Sequence, residues 1–196
     1  SNSPGSGCAN SFKLGGQLGQ GGVGTVYLAE DPAGRTVALK IVPMHLAKND
    51  TFMERFSREC KTLRNLQHPG IPRLYEEGIE AGQLYLTMEY VEGRSIQSIL
   101  DDPESAQALT PDFTANLLTQ TSKILAYAHG QGVIHRDISP KNIILASDGT
   151  IKIVDFGIAK LVDEVTLTMT GQHFGTPAYM APEQFSGGGL KDVDGR

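Results

Sequence analysis

A glycine-rich segment at residues 19–26, GQGGVGTV, lies between two short runs that are typical of β-strands. It matches the pattern G-x-G-x-x-G-x-V, in which glycines let backbone amides approach phosphate oxygens because no Cβ intervenes. A strand, rather than a helix, follows the last glycine, which excludes a Rossmann dinucleotide fingerprint. A Walker A loop would need Lys and then Ser or Thr there. The segment therefore predicts an antiparallel hairpin, either one that covers phosphates or a purely structural one.

The following strand-like run, TVALKIV, carries Lys40. A lysine at this place reaches the α- and β-phosphates of a nucleotide held under such a loop, whereas an ordinary strand lysine faces solvent. Residues 51–67 then place apolar side chains at helical spacing, with Asp50 or Thr51 as the expected cap. Glu59 on this helix is the candidate counter-charge for Lys40, and a solvated helix face is the alternative.

The rest of the chain alternates strand and helix signals without internal repeats. Two more strand candidates surround a turn at residues 80–83, and the predicted sheet ends near Tyr90. A longer helix is expected at residues 114–129. Its predicted buried stripe consists of Leu117, Leu118, Thr121, Leu125 and Ala128. Two short strands, NIILA and IKIVD, surround a predicted hairpin turn at residues 147–150.

Charge and composition exclude several classes of partner. The net charge of −5 gives no reason to expect nucleic acid or an anionic membrane as partner. Cys8 and Cys60 belong to no CxxC or Cys/His cluster, so we expect neither a disulfide framework nor a zinc site, and a reducing, cytoplasmic environment. No apolar run approaches the roughly 20 residues of a transmembrane helix. Residues 1–11 are small and polar, which predicts a flexible leader.

Residues 135–142, HRDISPKN, place a basic pair, an acid, a hydroxyl, a lysine and an amide within eight residues. An ordinary turn needs one or two such residues, so this stretch indicates a reactive loop. Four further motifs accompany this loop: the glycine-rich segment, Val-Ala-Leu-Lys, Asp-Phe-Gly at 155–157 and Ala-Pro-Glu at 181–183. Together, in this order, the five motifs resemble those of the eukaryotic-type protein kinases. The chain resembles their serine/threonine branch. The segments GTPAYMAPEQ and FGIAK are similar to those of bacterial kinases of this type.

The resemblance implies an α+β, bilobal protein-kinase-like fold. We expect an antiparallel five-stranded N-lobe with one helix at about residues 12–90, and an incomplete, mainly helical C-lobe at about 91–196. The last helices of the large lobe are expected to be missing, so that this piece of a larger enzyme, expressed alone, would be poorly soluble and almost inactive. The implied activity is transfer of the γ-phosphoryl group of ATP to Ser/Thr hydroxyls of proteins, with ATP and Mg²⁺ as cofactors.

The resemblance also assigns roles to individual residues. Asp137 would accept or orient the proton of the substrate hydroxyl, and Asn142 and Asp155 would hold Mg²⁺. Lys40, fixed by Glu59, would orient the phosphates. The expected nucleotide contacts, besides Lys40, are Gly19, Gly21, Gly24, Val26, Ala38, Glu89, Val91 and Ile144.

Ser139 departs from the family pattern. Serine/threonine kinases usually carry a lysine two residues after the catalytic aspartate, and it neutralises charge on the transferring phosphate. The nearby cation here is Lys141, in an arrangement similar to that of tyrosine kinases, and we infer that it performs this task. Thr176 resembles the substrate-docking threonine of the serine/threonine branch and favours Ser/Thr over Tyr as acceptor.

The Thr-rich segment after Asp-Phe-Gly resembles an activation loop. We expect autophosphorylation on Thr168 or Thr170, compatible with a homodimer, and phosphate reading by Arg136, Lys160 and Arg55. A mobile loop without modification is the alternative.

Two other functions stay open. A catalytically silent nucleotide-binding or scaffolding domain is favoured by Ser139 but disfavoured by the presence of every other catalytic residue. A small-molecule phosphotransferase shares the Asp and Asn chemistry, but it does not account for the Thr-rich loop followed by Ala-Pro-Glu.

Overall fold

The computed structural model describes residues 11–21, 24–42, 49–80, 82–156 and 179. Within these ranges the chain divides into two compact units. The first consists of residues 11–65 and 73–90, and the second of residues 66–72 and 91–156.

The first unit is built on an antiparallel five-stranded sheet. Its strands are β1 (Lys13–Gly21), β2 (Gly24–Glu30), β3 (Thr36–Val42), β4 (Leu74–Glu80) and β5 (Gln83–Glu89). They lie in the order β1-β2-β3-β5-β4, and each neighbouring pair is antiparallel. The predicted five-stranded sheet is therefore confirmed.

The turn between β2 and β3 shows why this hairpin forms where it does. The Oδ1 atom of Asp31 accepts hydrogen bonds from the backbone N–H groups of Ala33 and Arg35, both at 2.9 Å. Gly34 takes a φ of 81°, a conformation that costs a glycine little. The backbone N–H of Arg35 is the main cause that lowers the pKa of Asp31 below its ordinary value. A single aspartate thus fixes the turn.

The helix of the first unit, α1 (Asp50–Arg64), lies against β4. Its N-cap is Asn49, whose side chain accepts from the N–H of Phe52 at 2.9 Å, so the prediction of Asp50 or Thr51 as cap is wrong. Both residues instead occupy the first helical turn. The buried face consists of Phe52, Phe56, Cys60 and Leu63.

The two faces of the sheet carry different side chains because strand residues alternate. Val26 lies opposite Lys40 in the β2–β3 register, so Val26, Lys40 and the next-but-one residue Ala38 share one face. The opposite face holds a hydrophobic cluster. It consists of Phe12, Ala29, Val37 and Leu39, with Leu14, Ile41, Tyr75 and Tyr85 packed against them. The sheet therefore separates an apolar layer from the face that presents Lys40.

The second unit combines helices with a small antiparallel sheet. Its elements are β6 (Gly93–Ser95), α2 (Ile96–Leu100), α3 (Pro103–Ala106), α4 (Pro111–Gly130), a 3-10 turn (Pro140–Asn142), β7 (Ile143–Ala146) and β8 (Ile151–Ile153). The sheet order is β6-β7-β8. Gly149, with a φ of 84°, and Asp148, which accepts from the N–H of Thr150 at 2.9 Å, form the predicted β7–β8 turn. In the described ranges we find no helix both long and apolar enough to cross a membrane.

Helix α4 corrects the predicted buried stripe. Its buried residues are Thr121, Ile124 and Ala128, whereas Leu118 is 61% exposed. The periodicity was ambiguous because apolar residues cover two adjacent faces of this helix, and only packing selects one of them. Gly70 lies against the selected face, where a Cβ on it would come within 2.3 Å of Cδ1 of Ile124.

Candidate active site

A buried histidine holds the backbone of the loop between α4 and β7. His135 is 1% exposed, and its Nε2–H donates to the carbonyl of Val154 at 2.8 Å. Its Nδ1 then accepts from the backbone N–H of Asp137 at 3.3 Å, and its ring packs edge-on against Phe156 at 4.6 Å. This tautomer therefore fixes the backbone of Asp137. Our sequence interpretation gave His135 no role of its own, because a motif does not reveal which atoms a side chain contacts.

Three predicted site residues, the catalytic Asp137 and Lys141 and the metal ligand Asn142, lie together in this loop. The Nδ2 group of Asn142 donates to the carbonyl of Asp137 at 2.7 Å and to its Oδ2 at 3.1 Å. The Nζ of Lys141 lies 3.4 Å from the same Oδ2. Among the described residues we find no hydrogen bond to Asp137 Oδ1. The carboxylate is thus held by one oxygen, and its other oxygen remains available to a substrate.

Two residues of this region have a backbone that side chains rarely adopt. Arg136 has a φ of 67° and Asp155 a φ of 63°, both in the left-handed region. Such a conformation costs on the order of 1–3 kcal/mol for a residue other than glycine. Strain of this kind is typical of functional loops.

The residues predicted to bind Mg²⁺ fit a hard divalent cation. The backbone carbonyl of Asn142 accepts a hydrogen bond from the N–H of Val154 at 2.9 Å. Because Asp155 directly follows Val154, this bond places the backbone of Asp155 near Asn142. The Nδ2 of Asn142 is occupied by Asp137, so its Oδ1 is turned away as a potential ligand. One amide oxygen and one carboxylate suit Mg²⁺, which takes its other ligands from water and phosphate. Within the described ranges no group of three or more His, Cys, Asp or Glu side chains forms a metal site.

The first unit places the predicted nucleotide residues on and beside one sheet face. Lys40 is 3% exposed, so the alternative of a solvent-facing strand lysine is wrong. Val26 and Ala38 share its face, as described above. Gly24 has a φ of 129°, and a Cβ there would lie 2.0 Å from the carbonyl oxygen of Ile41. Gly19, by contrast, has no atom within 4 Å of where its Cβ would be. The two glycines of one motif therefore have different structural tasks.

Glu59 lies on α1 with a half-buried side chain. Cys60, the next residue along the helix, is fully enclosed, and burial is the main cause that raises the pKa of its thiol to about 12. The pairing of Glu59 with Lys40 remains a prediction.

The other predicted residues fall at several places. Glu89 ends β5, where its N–H donates to the carbonyl of Arg73 at 2.8 Å. Val91 and Ile144 belong to the second unit, and Ile144 is a half-buried residue of β7. Arg55 is exposed on α1. Gly21 ends β1. The predictions for Lys160, Thr168, Thr170 and Thr176 lie outside the described residues.

Ser139, the departure from the family pattern, is buried. Its side chain is 2% exposed, and its Oγ has no hydrogen-bond partner among the described residues. Sequence reasoning noticed the unusual residue type, but no local signal indicates burial at a loop position.

The amino-acid sequence and the fold agree with those of known proteins. Residues 12–193 match the family model described as the protein kinase domain. A probable serine/threonine-protein kinase of Streptomyces coelicolor is 36% identical over 94% of this chain and 28% of its own length. The serine/threonine-protein kinases PrkC of Bacillus subtilis and PknA of Mycobacterium tuberculosis are each 38% identical, over 87% and 90% of this chain. The chain spans 26% of the length of PrkC and 42% of that of PknA.

Solved structures lead to the same family. A double mutant of the PknI kinase domain of Mycobacterium tuberculosis superposes with a TM-score of 0.71 and 32% identity, over 95% of this chain and 69% of that one. The apo form of PpkA-294, at 23% identity and a TM-score of 0.71, shares the fold. With the geometry of the Asp137 loop, these matches show that the chain belongs to the protein kinase domain family.

Proposed function

We propose that the full-length protein transfers the γ-phosphoryl group of ATP to serine and threonine hydroxyls of proteins. The observation that carries this proposal is the Asp137 carboxylate, held through Oδ2 by Asn142 and Lys141 while Oδ1 receives no hydrogen bond among the described residues. The names of the relatives, which are serine/threonine-protein kinases, support the substrate class.

Asp137 acts by positioning the acceptor. Phosphoryl transfer passes through a loose transition state, so orientation of the hydroxyl matters more than strong base chemistry. Oδ1 accepts the hydroxyl hydrogen and directs an oxygen lone pair toward the phosphorus. The proton passes to Asp137 as the new oxygen–phosphorus bond forms, while the bond from the γ-phosphorus to the bridging oxygen breaks and ADP leaves. Asn142 and His135 keep the carboxylate and its backbone in place during this step.

Lys141 supplies a positive charge for the transferring group. Its side chain is 48% exposed, and its ion pair with Asp137 is long at 3.4 Å. Exposed ion pairs contribute about 0–1 kcal/mol, so Lys141 leaves Asp137 at little cost and turns to the phosphoryl oxygens.

The first unit supplies residues that bind the nucleotide. Lys40 orients the phosphates, and the backbone of the glycine-rich hairpin between β1 and β2 covers them. Asn142 and Asp155 would hold Mg²⁺, which would supply positive charge against the phosphates. Glu59 pairs with Lys40 and fixes its position toward the phosphates.

Regulation by phosphorylation is the finer part of the proposal. Thr168 or Thr170 is the acceptor, and a phosphothreonine brings close to two negative charges for Arg136, Lys160 and Arg55 to bind. Trans-autophosphorylation would use a transient homodimer.

The test is incorporation of radiolabelled phosphate from ATP into a generic protein acceptor by the full-length protein, with and without Asp137→Asn. We expect transfer by the wild type and its loss in the variant. Asp148→Asn is the matched control, because Asp148 only accepts hydrogen bonds within the β7–β8 turn. Nucleotide binding by the wild type without any transfer would instead identify a silent nucleotide-binding or scaffolding domain.

A further inference from the structure

Ser139 carries a hydroxyl whose position the folded chain alone does not explain. The Oγ is enclosed by protein and has no hydrogen-bond partner among the described residues. A buried hydroxyl without a partner destabilises the folded state, so alanine would be the more stable residue here.

Turn formation does not account for the serine. Ser139 is the N-cap of the 3-10 turn, where a serine hydroxyl usually accepts from a backbone N–H of that turn. It makes no such bond. Pro140 has no N–H, and the N–H of Asn142 donates to the backbone carbonyl of Ser139 at 2.9 Å instead. The role of this hydroxyl is therefore not to cap the turn.

The neighbouring carboxylate will need a donor during the reaction. Asp137 Oδ2 is held by Asn142 at 3.1 Å and by Lys141 at 3.4 Å. In the proposed function Lys141 turns to the phosphoryl group, and Asp137 then loses one of these two donors. The loss comes when the carboxylate must hold the substrate hydroxyl in line.

We propose that Ser139 is a positioning residue for Asp137: its hydroxyl donates to the Asp137 carboxylate when Lys141 leaves that carboxylate for the transferring phosphoryl group. Ser139 stands two residues after Asp137, and aspartate side chains commonly accept hydrogen bonds from the backbone N–H two residues further on, so a carboxylate at Asp137 is within reach of groups on Ser139. Rotation about χ1 redirects the hydroxyl, and no covalent bond changes. The proposal rests on the proposed kinase activity.

The first experiment compares Ser139→Ala with a matched variant in the full-length enzyme. Thr121 on α4 also has a buried hydroxyl without a partner among the described residues, and Thr121→Val removes it at nearly constant volume. We expect both variants to keep or raise the Tm. Only Ser139→Ala should lower kcat, by about tenfold, with an unchanged KM for ATP, because the lost bond is made only during transfer.

The second experiment measures whether Ser139 acts through Asp137. Single-turnover assays at high enzyme concentration register the slow residual transfer of Asp137→Asn. In these assays Ser139→Ala should lower the transfer rate about tenfold in the wild type and cause no further loss in the Asp137→Asn background, since coupled residues are not additive. A tenfold loss that persists in Asp137→Asn would mean that Ser139 contacts the phosphoryl group directly, and would overturn the proposal. So would kinetics of Ser139→Ala equal to those of Thr121→Val. A wild-type enzyme without transfer would refute the proposed function and this inference together.

Discussion

Gly24 provides the sharpest test of the structure, because its motif partner Gly19 is a built-in control. Gly24 has a φ of 129°, which residues with a side chain rarely adopt. For such a residue this backbone conformation costs about 1–3 kcal/mol. A Cβ would lie 2.0 Å from the carbonyl oxygen of Ile41, where real Cβ contacts stay above 3.0 Å. Since Thr25 pairs with Ile41, relief of this overlap would separate β2 from β3.

We therefore expect Gly24→Ala to lower the free energy of unfolding by about 3 kcal/mol or more, which combines the backbone cost with a disturbed strand pair. For a domain of roughly 150–250 residues that corresponds to a decrease in Tm of roughly 6–12 °C. Gly19→Ala should leave the Tm unchanged or slightly higher, because its Cβ meets no atom within 4 Å and alanine restricts the unfolded chain.

The assay is thermal unfolding of both full-length variants, followed by circular dichroism, together with KM for ATP. We expect Gly24→Ala to lower the Tm. Gly19→Ala should change only the KM for ATP. Equal Tm values for the two variants would refute the assignment of Gly24 as a structural glycine.

Four further predictions follow from the site and the core. Lys40→Met should abolish transfer while leaving the fold intact, and normal turnover would contradict its phosphate role. Lys141→Ala should lower kcat about a hundredfold through lost charge stabilisation, with the distant surface variant Lys123→Ala as control; wild-type turnover would exclude compensation for the missing lysine. Phosphopeptide mapping should find phosphate on Thr168 or Thr170, and replacing both by Ala should reduce activity; a fully active double variant would leave the segment as a linker. Cys60, whose thiol pKa is raised from 9.0 to about 12 mainly by burial, should react with thiol reagents only on unfolding. Because the unfolded thiol ionises first, this contribution to stability is complete below pH 9.0 and is lost as pH rises toward about 12. Rapid labelling of folded protein at pH 8 would contradict the burial.

Local signals in the amino-acid sequence determined the strands, the turns and the order of the chemical groups. The Asp-Pro-Ala-Gly turn after β2 and the Ser-Asp-Gly turn after β7 were predictable because each depends on hydrogen bonds and φ preferences within about four residues. The identity of the reactive loop was also readable, since Asp137 and Asn142 meet within one short stretch.

Tertiary structure alone decided the features that depend on distant packing. Leu118 and Ile124 are equally apolar in sequence, and only contact with the rest of the second unit buries one and exposes the other. Gly19 and Gly24 look alike in the motif, but the neighbouring strand leaves no room for a Cβ at Gly24. The burial of Ser139 belongs to the same class. Burial and steric exclusion are set by atoms far apart along the chain, so a pattern of neighbouring residues does not contain them.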